Sequence, residues 1–436
     1  MTQLNKAVLL CLSCVLLVSL SGCGSSSTTT TTTTPTGFLY AANSFRPGSM
    51  GAFTITTGVL GHINGSPFAT TGNAPYTLAA VSTKFLYAGI PATSKGGVIT
   101  RVLGRTLSGS VTGGIMLMPI KTDHTLDVPQ MFGSGGDYDP IAVTPSGNFL
   151  YAADLTTNHL AAFSIDSSKG TLAAIGPQGP PPGVAVGPDP FNVVVDPQGK
   201  FVFVANCDCA SPTNHGSVSV FSINSDGTLA VVPGSPFPLG GGSARPSALA
   251  ISSDSKFLFV ASLDDKVYVE KIAADGTLSD AVPAAPAVSL PVVGSTPISI
   301  AVSADGGNSV YTGNAGTHTI SFFLNCMQTP VPTGCSTDTN GNPLAPLVFQ
   351  NNTPVGGTVG VILPDPTSNS SATPATGPGH FLYVTDYDHG TILVFSVTST
   401  TSCTTSSCTP IPGTLTQSGS VVNTGGANPF GLAIAH

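Results

Sequence analysis

The sequence predicts an all-β chain that repeats one four-stranded unit, and three observations carry that expectation. Charged residues are 8 % of the 436 residues, against about a quarter in ordinary soluble domains. Long surface helices need Glu, Lys and Arg on their exposed face, yet the chain has a single glutamate, Glu270, and no tryptophan. Second, 41 % hydrophobic residues with Gly 51 and Pro 37 fit many short strands joined by tight turns. Third, one motif returns seven times, beginning at Phe38, Phe85, Phe149, Phe201, Phe257, Ser309 and Phe381; its clearest copies read Phe149-Leu150-Tyr151-Ala152-Ala153-Asp154 and Phe201-Val202-Phe203-Val204-Ala205-Asn206. The copies lie 47 to 72 residues apart, which is the period of a propeller blade with loop insertions. The net charge of -8 with only 13 Lys plus Arg excludes a nucleic-acid binder, which needs a basic footprint.

From the N-terminus, Lys6 precedes an apolar run, Ala7 to Leu20, too short to span a bilayer and of signal-peptide size. Leu20-Ser21-Gly22-Cys23 resembles the lipobox of bacterial lipoproteins, which implies cleavage after residue 22 and lipidation of Cys23. Gly24 stands where an aspartate often retains lipoproteins in the inner membrane, so the resemblance points to export and to the outer membrane. Residues 23–36 are a Ser/Thr-rich tether with too little apolar area to fold. Residues 37–436 form the folded domain.

The fourth copy shows the blade. Phe191 to Val195 reads as strand A, Phe201 to Ala205 as B, Ser217 to Ile223 as C and Thr228 to Val232 as D, with turns at Pro197-Gln198-Gly199 and Asn224 to Gly227. A Gly-Thr-Leu that opens strand D recurs at Gly170, Gly227, Gly276 and Gly413. The chain begins at a strand B, Phe38, and ends in an unpartnered strand A, Pro429 to Ile434. Pairing the two completes the first blade and removes two open edges. The expectation is a seven-bladed β-propeller of four-stranded blades, closed by its C-terminal strand.

This grammar resembles the YVTN-type β-propeller repeat proteins and the seven-bladed lactonase (6-phosphogluconolactonase-like) family. Members of that family often show Pro-His-x-His before one strand A; here the stretch is Gly136-Asp137-Tyr138-Asp139. A second family stretch, Pro-Arg-His, falls at Pro246-Ser247-Ala248, and the acidic residue after the next strand B falls at Leu263. The Asp-Leu turn is kept as Asp154-Leu155. Most of the residues that the resemblance would make catalytic are therefore replaced, with Arg245, Asp264 and Asp137 close by in sequence.

Propeller ligands usually sit over the central channel, on the face of the B-to-C and D-to-A loops. The repeat places all four arginines there: Arg46, Arg245, and Arg101 and Arg105 in an insertion of the second blade that runs from about Pro91 to Thr112. Guanidinium groups bind carboxylate or phosphate in a planar, bidentate manner, so these four make a candidate anion site, the alternative being loop ion pairs. Asp137, Asp154, His159, Asp264 and His389 are weaker candidates. Asp386, ahead of Asp388-His389, is expected to close an Asx turn rather than to bind a cation. No zinc pair, nucleophile elbow or phosphate loop is present, and no metal or cofactor is expected. In an oxidising compartment Cys326–Cys335 and Cys403–Cys408 should staple two expanded C-to-D loops; Cys207–Cys209 is either a tight structural bridge or a redox or copper site.

Three functions follow. The first is a membrane-anchored binding module for a protein, glycan or anionic metabolite. The second is a lactonase or cycloisomerase with displaced catalytic residues. The third is a structural envelope protein.

Overall fold

The computed structural model describes residues 34–436 except 46, 72–73, 93–112, 134, 178–181, 210–215, 304–308, 366–379, 398–412 and 420. No α-helix occurs among the described residues. Strands A, B, C and D of each blade pair antiparallel in that order. In blade 4 they are Pro190–Val195, Phe201–Asn206, Ser217–Ile223 and Leu229–Val231. Blades 2 and 3 are also joined through the single pair Ile90–Tyr138.

Successive A strands touch one another around the whole ring, the seventh against the first included. In blade 1 the A strand is the end of the chain: Pro429–Ala435 pairs with Gly37–Asn43, with Tyr40 opposite Ala433 and Ala41 opposite Leu432. The expected pairing of the two termini is thus present.

Alternation along the strands fills the space between blades. In strand C of blade 4, Val218 and Val220 enter the core shared with blade 5, whereas Phe221 enters the core shared with blade 3. Both faces are apolar because both are covered.

The two repeated motifs turn out to be halves of one contact. The strand B tyrosine donates its buried hydroxyl to the carbonyl of the turn glycine in the next blade: Tyr87 to Gly170 at 2.6 Å, Tyr151 to Gly227 at 3.0 Å and Tyr311 to Gly413 at 2.8 Å. Gly227 has φ 81°, and a Cβ there would collide with the Phe149 ring, so only glycine fits. Gly58 meets Phe381 in the same way across the seam between blades 7 and 1. Between blades 1 and 2 the place is taken by His124, at φ 63°, whose ring stacks 3.4 Å from Phe38.

Strand D departs from the expected Thr228 to Val232. It ends at Val231, and a second short piece, Phe237–Pro238, pairs with Ser217 and Val218. Between the pieces Ser235 Oγ takes the Val220 N–H at 2.8 Å, as Ser66 Oγ takes that of Ala52 in blade 1 at 2.9 Å. A prolyl edge strand can break because its outer side has no ladder to keep.

Candidate functional site on the loop face

One backbone bond, repeated around the ring, builds the channel mouth. The N–H after strand B donates to the carbonyl just before strand A: Leu155 to Asp137 (3.1 Å), Cys207 to Asp189 (2.9 Å), Leu263 to Arg245 (2.9 Å), Ala315 to Thr296 (3.0 Å) and Tyr387 to Thr358 (2.8 Å). Tyr76, Leu155, Phe191, Cys207, Ile298, Tyr387 and Phe430 consequently form one buried apolar cluster, with Cys209 and Leu263 partly buried against it.

Blade 3 breaks the apolar ring. The A–B registers put Asp139 at the position of Tyr76, Phe191, Ile298 and Phe430 in other blades. It is 4 % exposed, and Thr77 Oγ1 donates to its Oδ1 at 2.8 Å. Burial raises its carboxyl to about 7, the Thr77 hydrogen bond opposing and the charge of Asp137 adding to the rise. Asp137 accepts from the Ala92 N–H at 2.6 Å and from Thr156 Oγ1 at 3.1 Å.

The other expected residues of blade 3 join the same loop. Asp154 Oδ1 accepts the N–H groups of Thr156 (2.8 Å) and Thr157 (3.0 Å), and His159 Nδ1 lies 2.8 Å from the Thr157 carbonyl. Asp137, Asp139, Asp154 and His159 thus share one hydrogen-bonded corner. Asp139 and Thr77 do not stand out by residue type alone; the signal is that Asp139 interrupts a position that four other blades fill with a large apolar side chain.

In blade 5 the Leu263 N–H on the Arg245 carbonyl ties the loop that carries Asp264 to the loop that carries Arg245. Asp264 Oδ2 accepts the Tyr268 hydroxyl at 2.8 Å and pairs with Lys266 at 3.1 Å. Its Oδ1, like Arg245 Nε, is buried without a hydrogen bond, and among the described residues Arg245 makes no ion pair. A guanidinium half-buried beside the mouth with bonding capacity left over can receive an anionic or hydroxyl-bearing ligand. Arg46, Arg101 and Arg105 lie outside the described residues, so the expected cluster is represented here by Arg245.

In blade 7 the Asx turn is present: Asp386 Oδ1 accepts the His389 N–H at 3.2 Å. Its Oδ2 lies 2.8 Å from His389 Nδ1, and that hydrogen bond and the charge of Asp386 raise the exposed imidazole above its usual range. Cys326–Cys335 is bridged, with Cα atoms 5.7 Å apart, and Cys207–Cys209 is bridged within the mouth cluster. Cys23, Cys403 and Cys408 lie outside the described residues. On the opposite face a 360 Å³ recess between blades 2 and 3 offers Lys84 as its one ionisable side chain.

The family model described as lactonase, seven-bladed β-propeller matches residues 105–233. The chain is a seven-bladed β-propeller, and its residues 105–233 are similar to that family. Over 166 residues it is 29 % identical to a 6-phosphogluconolactonase of Cronobacter sakazakii, covering 38 % of this chain and 45 % of that protein. Over 171 residues it is 28 % identical to one of Klebsiella pneumoniae, covering 39 % and 46 %. The chain therefore spans less than half the length of these curated relatives. A crystal structure from Bacteroides fragilis, assigned provisionally as a 6-phosphogluconolactonase, superposes with a TM-score of 0.60 at 18 % identity, covering 93 % of this chain and 99 % of that one. At this identity it speaks for the fold alone.

Proposed function

We propose that the protein is an exported, lipid-anchored hydrolase that opens a lactone ring at the blade 3 corner of its loop face. The names of its relatives favour this over a binding module, and one observation in the structure carries it: a buried carboxyl, Asp139, interrupts the apolar positions of the loop face beside Asp137, and burial raises it towards neutrality. Ionised Asp139 takes a proton from water as the water oxygen bonds to the lactone carbonyl carbon. The ring C–O bond then breaks, and the same proton passes to the departing alkoxide. A group that titrates near the working pH can do both. Arg245 is suited to a substrate carboxylate or phosphate, or to the carbonyl oxygen as it gains charge.

A binding function without turnover is the second reading. It is favoured by Ser247, Ala248 and Leu263 at the places of the family's Arg, His and acidic residue, and by the apolar mouth. The experiment is hydrolysis by the protein of a panel of sugar lactones with and without phosphate. The hydrolase reading expects turnover that Asp139→Asn lowers by about a hundredfold or more; no turnover across the panel, with a panel member still bound, supports the second reading.

A further inference from the structure

Blade 5 departs from the other six at one core position. The B–C registers place Phe53, Met118, Phe163, Phe221, Phe323 and Phe395 at equivalent points of strand C, each opposite the second residue of the strand B motif. In blade 5 that point, opposite Leu258, is Glu270, the only glutamate of the chain. Its neighbours two residues away on the same side of strand Lys266–Ile272, Tyr268 and Ile272, both belong to the core between blades 4 and 5. Side chains alternate along a strand, so the carboxyl projects into that core. Glu270 is 4 % exposed and its Oε1 has no hydrogen-bond partner.

Among the described residues no cation pairs with Glu270, and Lys266, on the same side of its strand, is engaged with Asp264 at 3.1 Å. Across the ladder stands Asp280, exposed and itself acidic. From blade 4 the core is Phe203, Ala205, Val218, Val220, Val232 and Leu239. On its own strand the Tyr268 hydroxyl is engaged with Asp264, and the neighbouring Lys271 is exposed on the opposite side. An unpaired carboxylate in such a place costs several kcal/mol, which protonation avoids.

We propose that Glu270 is a proton-controlled joint between blades 4 and 5: protonated, it packs where the other blades place Phe or Met, and on ionisation it loosens that contact. Only an O–H bond is made or broken, and the proton exchanges with solvent. The joint reaches the loop face, because Tyr268, next to Glu270 on the same side of the strand, bonds Asp264, whose neighbour Leu263 donates its N–H to the Arg245 carbonyl. Burial, then the charge of Asp280, lifts the Glu270 carboxyl to about 7, so the change falls near neutral pH.

The single glutamate makes the test direct. In full-length protein labelled with ¹³C-glutamate, one side-chain carboxyl resonance is expected to titrate near 7; a midpoint near the ordinary 4.5 overturns the proposal. Amide exchange, corrected for its intrinsic pH dependence, should quicken in Lys266–Ile272 and Ser217–Ile223 between about pH 6 and about pH 8. Glu270→Phe should abolish that change, and so should Glu270→Gln, which keeps the test open if the phenylalanine variant fails to fold. Unchanged exchange in the wild type, or a change that persists in both variants, contradicts the proposal. So does a midpoint that added calcium moves, which would make Glu270 and Asp280 a cation site instead.

Discussion

The two faces of this propeller obey different rules. On the turn face most blades repeat one device, a strand B ring set against a turn of the next blade, with a tyrosine hydroxyl on the glycine carbonyl at three of the contacts; the contact between blades 7 and 1 keeps the ring on Gly58, whereas the Tyr383 hydroxyl bonds Asp365. On the loop face the backbone bonds repeat but the side chains they present do not: Phe191, Ser247, Ile298 and Phe430 stand at one position around the mouth, and Asp139 with them. Repetition marks what holds the ring together, and its interruption marks where chemistry can be placed.

The comparison breaks if changes on the turn face are tolerated. Deleting Pro429–Ala435 removes strand A of blade 1 and opens the ring, and cooperative thermal unfolding is expected to be lost. Gly227→Val forces a β-branched residue to φ 81° against Phe149 and should cost about 3 kcal/mol in denaturant unfolding. Gly241, at φ 66° with open space around it, is the control: alanine there should cost about 1 kcal/mol. Tyr151→Phe leaves the Gly227 carbonyl without its donor, for a loss of about 1–2 kcal/mol. Smallest of all, Arg245→Ala on the loop face should leave stability within about 0.5 kcal/mol while weakening turnover or ligand binding.

A pH series sharpens the same contrast. Asp139 and Glu270 both have folded-state midpoints raised to about 7 from the ordinary 3.8 and 4.5. Between those limits the native state holds protons that the unfolded chain releases, so stability is greatest on the acid side and falls as pH rises towards 7. Asp139→Asn and Glu270→Gln should each flatten the dependence of Tm on pH over that range. An unchanged slope would place both carboxyls in water.

The blade count, the strand order and the pairing of the two chain ends are legible in the sequence because they rest on a seven-fold repeat and on alternation, which are local patterns. The broken strand D is not, since the break depends on Ser235 reaching a strand C amide across the sheet. Asp137, Asp154, His159, Arg245 and Asp264 can be placed on the loop face from their positions in the repeat. What the repeat leaves open is burial: His389 is exposed, whereas Asp154 and Asp139 are buried, the first closing a turn and the second standing among apolar side chains. Asp139 and Glu270 look like two acids among many until the registers show that each stands where other blades put a large apolar side chain.

The central claim is that the acidic corner of blade 3, and not the arginine of blade 5, performs the chemistry. The most direct measurement is the pH dependence of lactone hydrolysis for the wild type, Asp139→Asn and Arg245→Ala. The wild type is expected to show a limb rising to a plateau above about 7, Arg245→Ala the same limb with weakened kcat/KM, and Asp139→Asn no such limb. A limb that survives in Asp139→Asn at undiminished kcat would contradict the claim.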